Sequence, residues 1–231
     1  MISIAVVNHS SVVSDAELAA ALPDFQAQIS EDFGPAYGIQ AELRIMPRGS
    51  QLEPNEWQMV VADTSDQAGA LGYHERSAIG SPIGYCFAKS TMADGGRWTT
   101  CFSHEVLEML GDPDINCIVR DEVSGRAYAF ECCDGPESDA YAYQKAGGTW
   151  VSDFVFRGYW MPNVAPTGPL SFTGAITRPL EILPGGYLSY TTDLHDWSQD
   201  FGASRSPASN RGSRHARRAL PFSEHRLSTR H

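Results

Sequence analysis

The chain has 231 residues, of which 42% are hydrophobic, enough to bury a substantial core in one domain. It carries 28 acidic and 17 basic residues, a net charge of −11. Its five cysteines are an odd number without Cys-x-x-Cys spacing, which argues against a disulfide framework and a thiolate zinc site. The apolar run of residues 1–8 is short and lacks a basic flank, which excludes a signal peptide or membrane span. We therefore expect a cytoplasmic protein with no membrane partner.

The charge is unevenly distributed along the chain. Residues 203–231 contain seven arginines against a single acid, Glu224, so the preceding part is strongly acidic. Low apolar content predicts that these residues form a disordered basic tail after a domain at residues 1–202. Only one aromatic residue, Phe222, lies among the arginines, so nucleic acid is a less favoured partner than an acidic protein surface.

The N-terminal third predicts strands and one long helix. Residues 2–7 are a short apolar run with β-branched residues, typical of a buried strand. Ser14 and Glu17 form a capping box that opens a helix reaching about Phe33, which Pro23 can kink or break. Residues 39–46 alternate between apolar and polar as a half-buried strand does, and a second, more apolar strand is predicted at residues 57–62.

Further strands are predicted on both sides of a central helix. Residues 70–75 and 83–89 precede the helix and read as two strands joined through a turn at residues 80–82. After the helix we predict a strand within residues 125–134 and a hairpin around residues 146–148. Short strands are predicted at residues 180–183 and 187–191.

The central helix, at about residues 99–111, is the stretch whose spacing indicates chemistry. One helical turn separates His104 from Glu108, so both side chains lie on one face and can bind one divalent ion. Glu105 projects beside this pair, where its carboxylate can reach a water in an open coordination position and act as a general base. The pattern predicts an amphipathic helix that is capped by Thr99, Thr100 or Ser103 and that ends with Gly111 in a left-handed conformation.

The pattern His104-Glu105-x-x-Glu108 resembles the zincin metallopeptidase signature His-Glu-x-x-His, with glutamate in place of the second histidine. The longer string Ser-His-Glu-Val-Leu-Glu-Met-Leu-Gly-Asp-Pro-Asp-Ile-Asn at residues 103–116 resembles a bacterial and phage family of zincin-like proteins. The resemblance extends over most of the chain up to Trp197. It implies an α+β fold in which a twisted mixed β-sheet (about residues 1–111) lies over the active-site helix, followed by a smaller, irregular C-terminal subdomain (about residues 112–202).

The resemblance also implies a function. It suggests a zinc-dependent metallopeptidase that acts on a peptide or protein substrate, in a bacterial or phage-associated setting. In zincins an edge strand of the sheet borders the substrate cleft, and residues 83–89 are the candidate edge by their order in the chain. His74, Tyr141 and Tyr159 are secondary candidates for donors to a transition-state oxyanion, with structural roles as the alternative.

A catalytic zinc site needs a third protein ligand beyond His104 and Glu108. In zincins of the glutamate-ligand type this ligand comes from well beyond the motif, which makes Glu131 the first choice and Asp134 the alternate. Asp114 is a third candidate, because its spacing from the motif matches that of the last ligand in zincins with an extended motif.

Two carboxylates among the ligands would change the chemistry of the ion. A histidine with two carboxylates cancels both charges of Zn²⁺, so a bound water is acidified less than beside two histidines and one carboxylate. Oxygen-rich ligation also shifts the preference toward Mn²⁺ or Ca²⁺. The competing hypothesis is therefore a protein that keeps the zincin fold and a stabilising metal but is catalytically inactive, with a structural or interaction role in a phage or bacterial assembly.

Overall fold

The computed structural model describes residues 1–47, 50, 56–67 and 69–203, together with the backbone of residues 223–224. Its N-terminal half contains five strands: β1 (Ile2–Asn8), β2 (Ala41–Met46), β3 (Trp57–Ala62), β4 (Gly72–Arg76) and β5 (Pro82–Phe87). They form one sheet, here called the N-terminal sheet, in the order β2-β1-β3-β5-β4. The first four strands in this order run parallel to one another, and the last, β4, is antiparallel to its neighbour β5. The sheet is therefore mixed.

All five strands predicted for this half are present, but the predicted edge strand is wrong. Strand β5 lies between β3 and β4, and β4 is at the edge of the described sheet. Five of the six β5 residues are buried, which suits an interior strand, whereas β4 ends in a half-buried glutamate and an exposed arginine. The order of strands in the chain differs from their order in the sheet because the chain turns back to place β5 next to β3.

One long helical segment connects β1 and β2. Helix α1 (Asp15–Ala27) begins with the predicted capping box, in which the backbone N–H of Glu17 donates to Ser14 Oγ and Ser14 N–H donates to the Glu17 carboxylate. The helix continues through Pro23 into a π-helical stretch (Gln28–Phe33) and a last turn, α2 (Gly34–Tyr37). Gly38 then takes a left-handed conformation (φ 72°), which a glycine adopts without strain.

The motif helix is buried on all sides. After the short helix α3 (Ala88–Ala93), helix α4 (Trp98–Gly111) runs between β4 and β5 on one side and the C-terminal half on the other. Every residue from 102 to 110 is buried, so the polar face of the predicted amphipathic helix lies inside the protein together with its apolar face. A helix covered on two sides presents no wide polar face to solvent, and its polar residues must find partners inside the protein.

The helix spans the predicted residues, but the predicted caps at both ends are wrong. The N-terminal cap is Arg97, which makes no side-chain capping bond and whose backbone N–H donates to Asp139 Oδ2 at 2.7 Å. At the other end, Gly111 stays helical and Asp112 is the cap, with an extended φ of −138°. The Asp112 carboxylate accepts the N–H groups of Asn116 and Cys117, so it stabilises the turn after the helix, and the chain leaves the helix without the expected left-handed glycine.

The C-terminal half contains a second five-stranded sheet that was not predicted. Its strands are β6 (Cys117–Asp121), β7 (Arg126–Ala129), β10 (Tyr187–Thr191), β11 (Trp197–Phe201) and β12 (Ser223–Glu224). Their order is β11-β10-β7-β6-β12, and β12 runs parallel to β6. The predicted strand at residues 187–191 is confirmed, whereas residues 180–183 are not a strand. The predicted basic tail lies outside the described residues apart from Ala203 and this last strand.

A small hairpin and a large aromatic core hold the halves together. The predicted hairpin is confirmed as β8 (Tyr143–Gln144) and β9 (Trp150–Val151), and a 3₁₀ turn follows at Arg157–Trp160. Phe33 of the π-helical stretch packs edge-on against Phe154 of the C-terminal half, with ring centroids 5.3 Å apart. None of the five cysteines, all of which lie in the described part of the chain, forms a disulfide bond. In the part of the chain that the structure describes, no helix combines the length and apolarity needed to cross a bilayer.

Candidate metal centre

The predicted pair on the motif helix is confirmed. His104 Nε2 lies 3.2 Å from Glu108 Oε2, one helical turn away, and both residues are buried. The other Glu108 oxygen, Oε1, accepts the backbone N–H of Cys133 at 3.1 Å. This bond fixes the carboxylate so that Oε2 faces the histidine, as a preorganised ligand pair requires.

Asp134 completes a group of three. Its Oδ1 lies 3.3 Å from His104 Nε2, and the ligand atoms of His104, Glu108 and Asp134 all lie within 4.8 Å of one another. Ligand atoms about 2.0–2.2 Å from Zn²⁺ in a tetrahedron lie about 3.3–3.6 Å apart, close to the two distances from the histidine. The chemistry and spacing of the three side chains therefore fit one divalent ion.

The backbone around Asp134 explains how a loop residue reaches the helix. Strand β7 ends at Ala129, and the following residues leave the strand for a turn. The Asp134 carbonyl oxygen accepts the N–H of Tyr187 at 3.0 Å, and the next carbonyl, that of Gly135, accepts the N–H of Leu183 at 3.1 Å. Segments about fifty residues further along the chain thus position this aspartate.

The structure brings Asp134 to the pair and does not bring the other two candidates. Glu131, the first choice from the sequence, is buried but belongs to neither of the two ligand groups found among the described residues. Asp114 is half exposed and pairs with Arg76. The strand predicted within residues 125–134 ends at Ala129, so Glu131 and Asp134 both lie in the turn region that follows it.

Glu105 lies beside this group, toward the edge strand β4. One oxygen of Glu105, one of Glu108 and one ring nitrogen of His74 lie within 4.8 Å of one another. A Cβ atom on Gly72 would lie 2.6 Å from Glu105 Oε1, so glycine at this strand position makes room for the carboxylate. Glu105 Oε2 is buried and accepts no hydrogen bond from the described residues. The predicted base is therefore within reach of the ligand group.

His74 is the residue whose place the sequence did not predict. It is fully buried on β4, with Nε2 at 3.2 Å from the carbonyl oxygen of Asp112 and Nδ1 at 3.7 Å from Glu105 Oε2. A carbonyl oxygen only accepts, so Nε2 carries the hydrogen. The ring thus faces the proposed base. No spacing could indicate this contact, since His74 lies on a different element thirty residues earlier.

Electrostatics at the centre favour positive charge. Burial alone lowers the pKa of His104, but the carboxylates of Glu108 and Asp134 outweigh this effect and raise that pKa well above its ordinary value. The same carboxylates would attract a metal cation. Burial, followed by contact with Cys132, raises the pKa of the Cys133 thiol, which does not favour a thiolate ligand.

The Tyr159 hydroxyl, a secondary candidate for an oxyanion donor, donates to the Glu181 carbonyl oxygen at 3.0 Å. This bond gives Tyr159 a structural role.

No model of a known protein family matches this chain, and neither a curated protein nor a solved structure matches it. The described residues form an α+β fold with a mixed sheet, and they contain buried groups of histidine and carboxylate side chains that could bind a metal.

Proposed function

We propose that the chain is a zincin-like, metal-dependent hydrolase that cleaves peptide bonds. The observation that carries the proposal is the group of His104, Glu108 and Asp134. Glu105, which follows His104 on the helix, places its carboxylate near that of Glu108. Three ligands and an adjacent carboxylate are the parts that metal-assisted hydrolysis requires. We assign Asp134 as the third ligand in place of Glu131.

The ligand set suggests Zn²⁺, with Mn²⁺ or Ca²⁺ as alternatives because two of the three ligands are carboxylates. When bound, such an ion polarises a peptide carbonyl and makes a coordinated water more acidic. The Cys133 N–H orients the Glu108 carboxylate in advance, and the bond from the Tyr187 N–H to the Asp134 carbonyl oxygen fixes the loop that carries Asp134.

Glu105 supplies the proton transfers in this proposal. Its carboxylate takes a proton from the attacking water and returns it to the leaving amine when the peptide bond breaks. The gap above Gly72 lets the carboxylate sit between the helix and the edge strand β4. An extended peptide that pairs with the outer edge of β4 would pass beside Glu105, which suits a peptide or protein substrate.

The second candidate is a structural metal site without hydrolysis, and the burial of the ligands favours it. Glu108 and Asp134 have no exposed surface, and His104 retains 6%. A closed, dry site is typical of structural ions, whereas a catalytic ion keeps an open position for water.

The test is the metal content of the full chain purified without added metal, together with cleavage of an unstructured protein. We compare wild type, His104→Ala and Glu105→Gln. The hydrolase proposal expects about one equivalent of zinc in wild type and in Glu105→Gln, loss of that metal in His104→Ala, and cleavage by wild type alone. Metal without cleavage would favour the structural candidate, and a folded wild type without metal would refute both.

A further inference from the structure

A second group of ligand atoms lies on the β4 side of the metal centre. It consists of one ring nitrogen of His74 and one carboxylate oxygen each of Glu105 and Glu108, all within 4.8 Å of one another. The three side chains are buried. Glu108 also belongs to the group of His104 and Asp134, so the two groups share one carboxylate. A carboxylate can bridge two ions through one or both of its oxygens, and in Glu108 one of these oxygens, Oε1, also accepts the Cys133 N–H.

The orientation of His74 is that of a metal ligand. Its Nε2–H is committed to the Asp112 carbonyl oxygen, so the neutral ring directs the lone pair of Nδ1 toward Glu105. Histidines that bind metals almost always donate their other ring N–H to a carbonyl or carboxylate, which fixes both tautomer and ring orientation. Asp112 is itself fixed as the cap of α4, since its N–H donates to the Glu108 carbonyl oxygen at 2.8 Å. The ligand atom of His74 is therefore positioned in advance.

Glu105 provides the second, independent sign of a cation. Its Oε2 is buried, lies 3.7 Å from His74 Nδ1, and accepts no hydrogen bond from the described residues. Burying an ionised carboxylate is costly unless a cation or several donors compensate. One divalent ion balances two of the three negative charges on Glu105, Glu108 and Asp134, and the charge left over lies beside His74.

We propose that a second divalent cation binds between His74, Glu105 and Glu108, with Glu108 bridging it to the ion at His104 and Asp134. One nitrogen and two carboxylate ligands suit Zn²⁺ or Mn²⁺. Two ions that share ligands in this way lie about 3.5–4 Å apart.

Binding of this second ion has a consequence for hydrolysis that rests on the proposed function, although the binding itself does not. An ion held by Glu105 occupies the carboxylate that would take the proton from water. Excess divalent metal should therefore inhibit cleavage, and the first equivalent alone should support it.

The test is the number of zinc ions bound by the metal-stripped full chain, measured by equilibrium dialysis and elemental analysis over rising Zn²⁺ concentrations. We expect two equivalents in wild type and in the matched control Glu131→Gln, and one in His74→Gln and in Glu105→Gln. His104→Ala should lose the other equivalent and keep the one at His74. The proposal would be overturned if wild type bound only one equivalent of zinc. It would also be overturned if His74→Gln and Glu105→Gln were folded and both still bound two equivalents.

A spectroscopic measurement decides the matter if these variants do not fold. Two Mn²⁺ ions bridged by one carboxylate are magnetically coupled, so the paramagnetic resonance signal of wild type with two equivalents should differ from twice the signal with one. Two uncoupled ions would overturn the proposal. Failure of the proposed hydrolase function would give a different result. Either the zinc ion that depends on His104 would not bind, or the protein with that one ion bound would not cleave its substrate.

Discussion

One buried acid, Asp153, and the group of buried acids near helix α4 differ in what their carboxylate oxygens face. Asp153, on the chain after β9, accepts hydrogen bonds from Phe154 N–H at 2.9 Å, Thr173 N–H at 3.0 Å and the Thr173 hydroxyl at 2.6 Å. Burial raises the pKa of Asp153, and these donors partly oppose the rise. Its negative charge is thus compensated by fixed dipoles within the loop that it organises.

The carboxylates near helix α4 face histidines and one another. Glu108 and Asp134 both point at His104 Nε2, and Glu105 points at His74 Nδ1. Such an arrangement brings several negative charges together inside the protein, where only cations or protons compensate them fully. The comparison teaches that burial alone does not identify a functional carboxylate. The identity of its neighbours separates a structural acid from a candidate metal ligand.

The largest effect is expected from removing the proposed third ligand. Asp134→Asn should lower zinc affinity by roughly 100-fold or more, because the loss of partners outside the ligand shell already costs about 10–100-fold. Glu131→Gln is the matched control and should leave affinity within a few-fold. Competition with a chromogenic chelator measures both. The reverse ranking of the two variants would restore Glu131 as the ligand.

A substitution beside Glu105 should separate metal binding from catalysis. In Gly72→Ala the new methyl group would overlap Glu105 Oε1, 2.6 Å away, and displace the carboxylate. A displacement of about 1 Å can cost roughly 100-fold in rate, so cleavage should fall by about that factor while the His104-dependent zinc remains. Cleavage rates and zinc content of the same preparation provide the check. Unchanged cleavage by the folded variant would exclude Glu105 as the base.

A substitution of Asp153, the acid with a structural role, should lower stability and leave metal binding unchanged, the opposite of what is expected for Asp134. Asp153→Ala removes the oxygen that accepts the N–H groups of Phe154 and Thr173, and leaving these donors without their acceptor should cost about 1–3 kcal/mol of stability. Zinc binding should not change, because Asp153 belongs to neither ligand group found among the described residues. Urea unfolding and elemental analysis test the two statements. A loss of zinc from the folded variant would break the distinction drawn between the two acids.

The smallest expected effect concerns a half-buried acid, Asp63, which lies near the ends of β1 and β3. Hydrogen bonds from Ser11 and Ser10 lower the pKa of Asp63 to about 2, from an ordinary value of 3.8. A lowered pKa in the folded state adds stability above pH 3.8, and this contribution is lost as the pH falls toward 2. Asp63→Asn should therefore flatten the acid limb of the stability curve.

Urea unfolding at pH 6 and pH 3 measures this difference. Ser11→Ala should produce part of the same flattening, since it removes one of the donors to Asp63. An acid limb as steep in Asp63→Asn as in wild type would show that other groups dominate.

The local elements could largely be predicted from the sequence. The alternation in β2, the Ser14–Glu17 capping box and the spacing of His104 and Glu108 all act over a few residues, so they are visible in the sequence itself. The caps of helix α4 could not be predicted in the same way. They depend on Asp139 and on the Asp112 carboxylate, whose contacts form only after distant segments pack together or the chain turns.

The sequence by itself therefore determined a mixed α+β chain with a histidine and a glutamate one helical turn apart, because helical periodicity needs no tertiary information. Only the tertiary structure decided which acid meets that pair and which strand borders it. Asp134 reaches His104 because its loop is bonded to residues near β10, and His74 reaches Glu105 because β4 is the edge strand above α4. Such contacts join segments tens of residues apart, and local spacing carries no information about them.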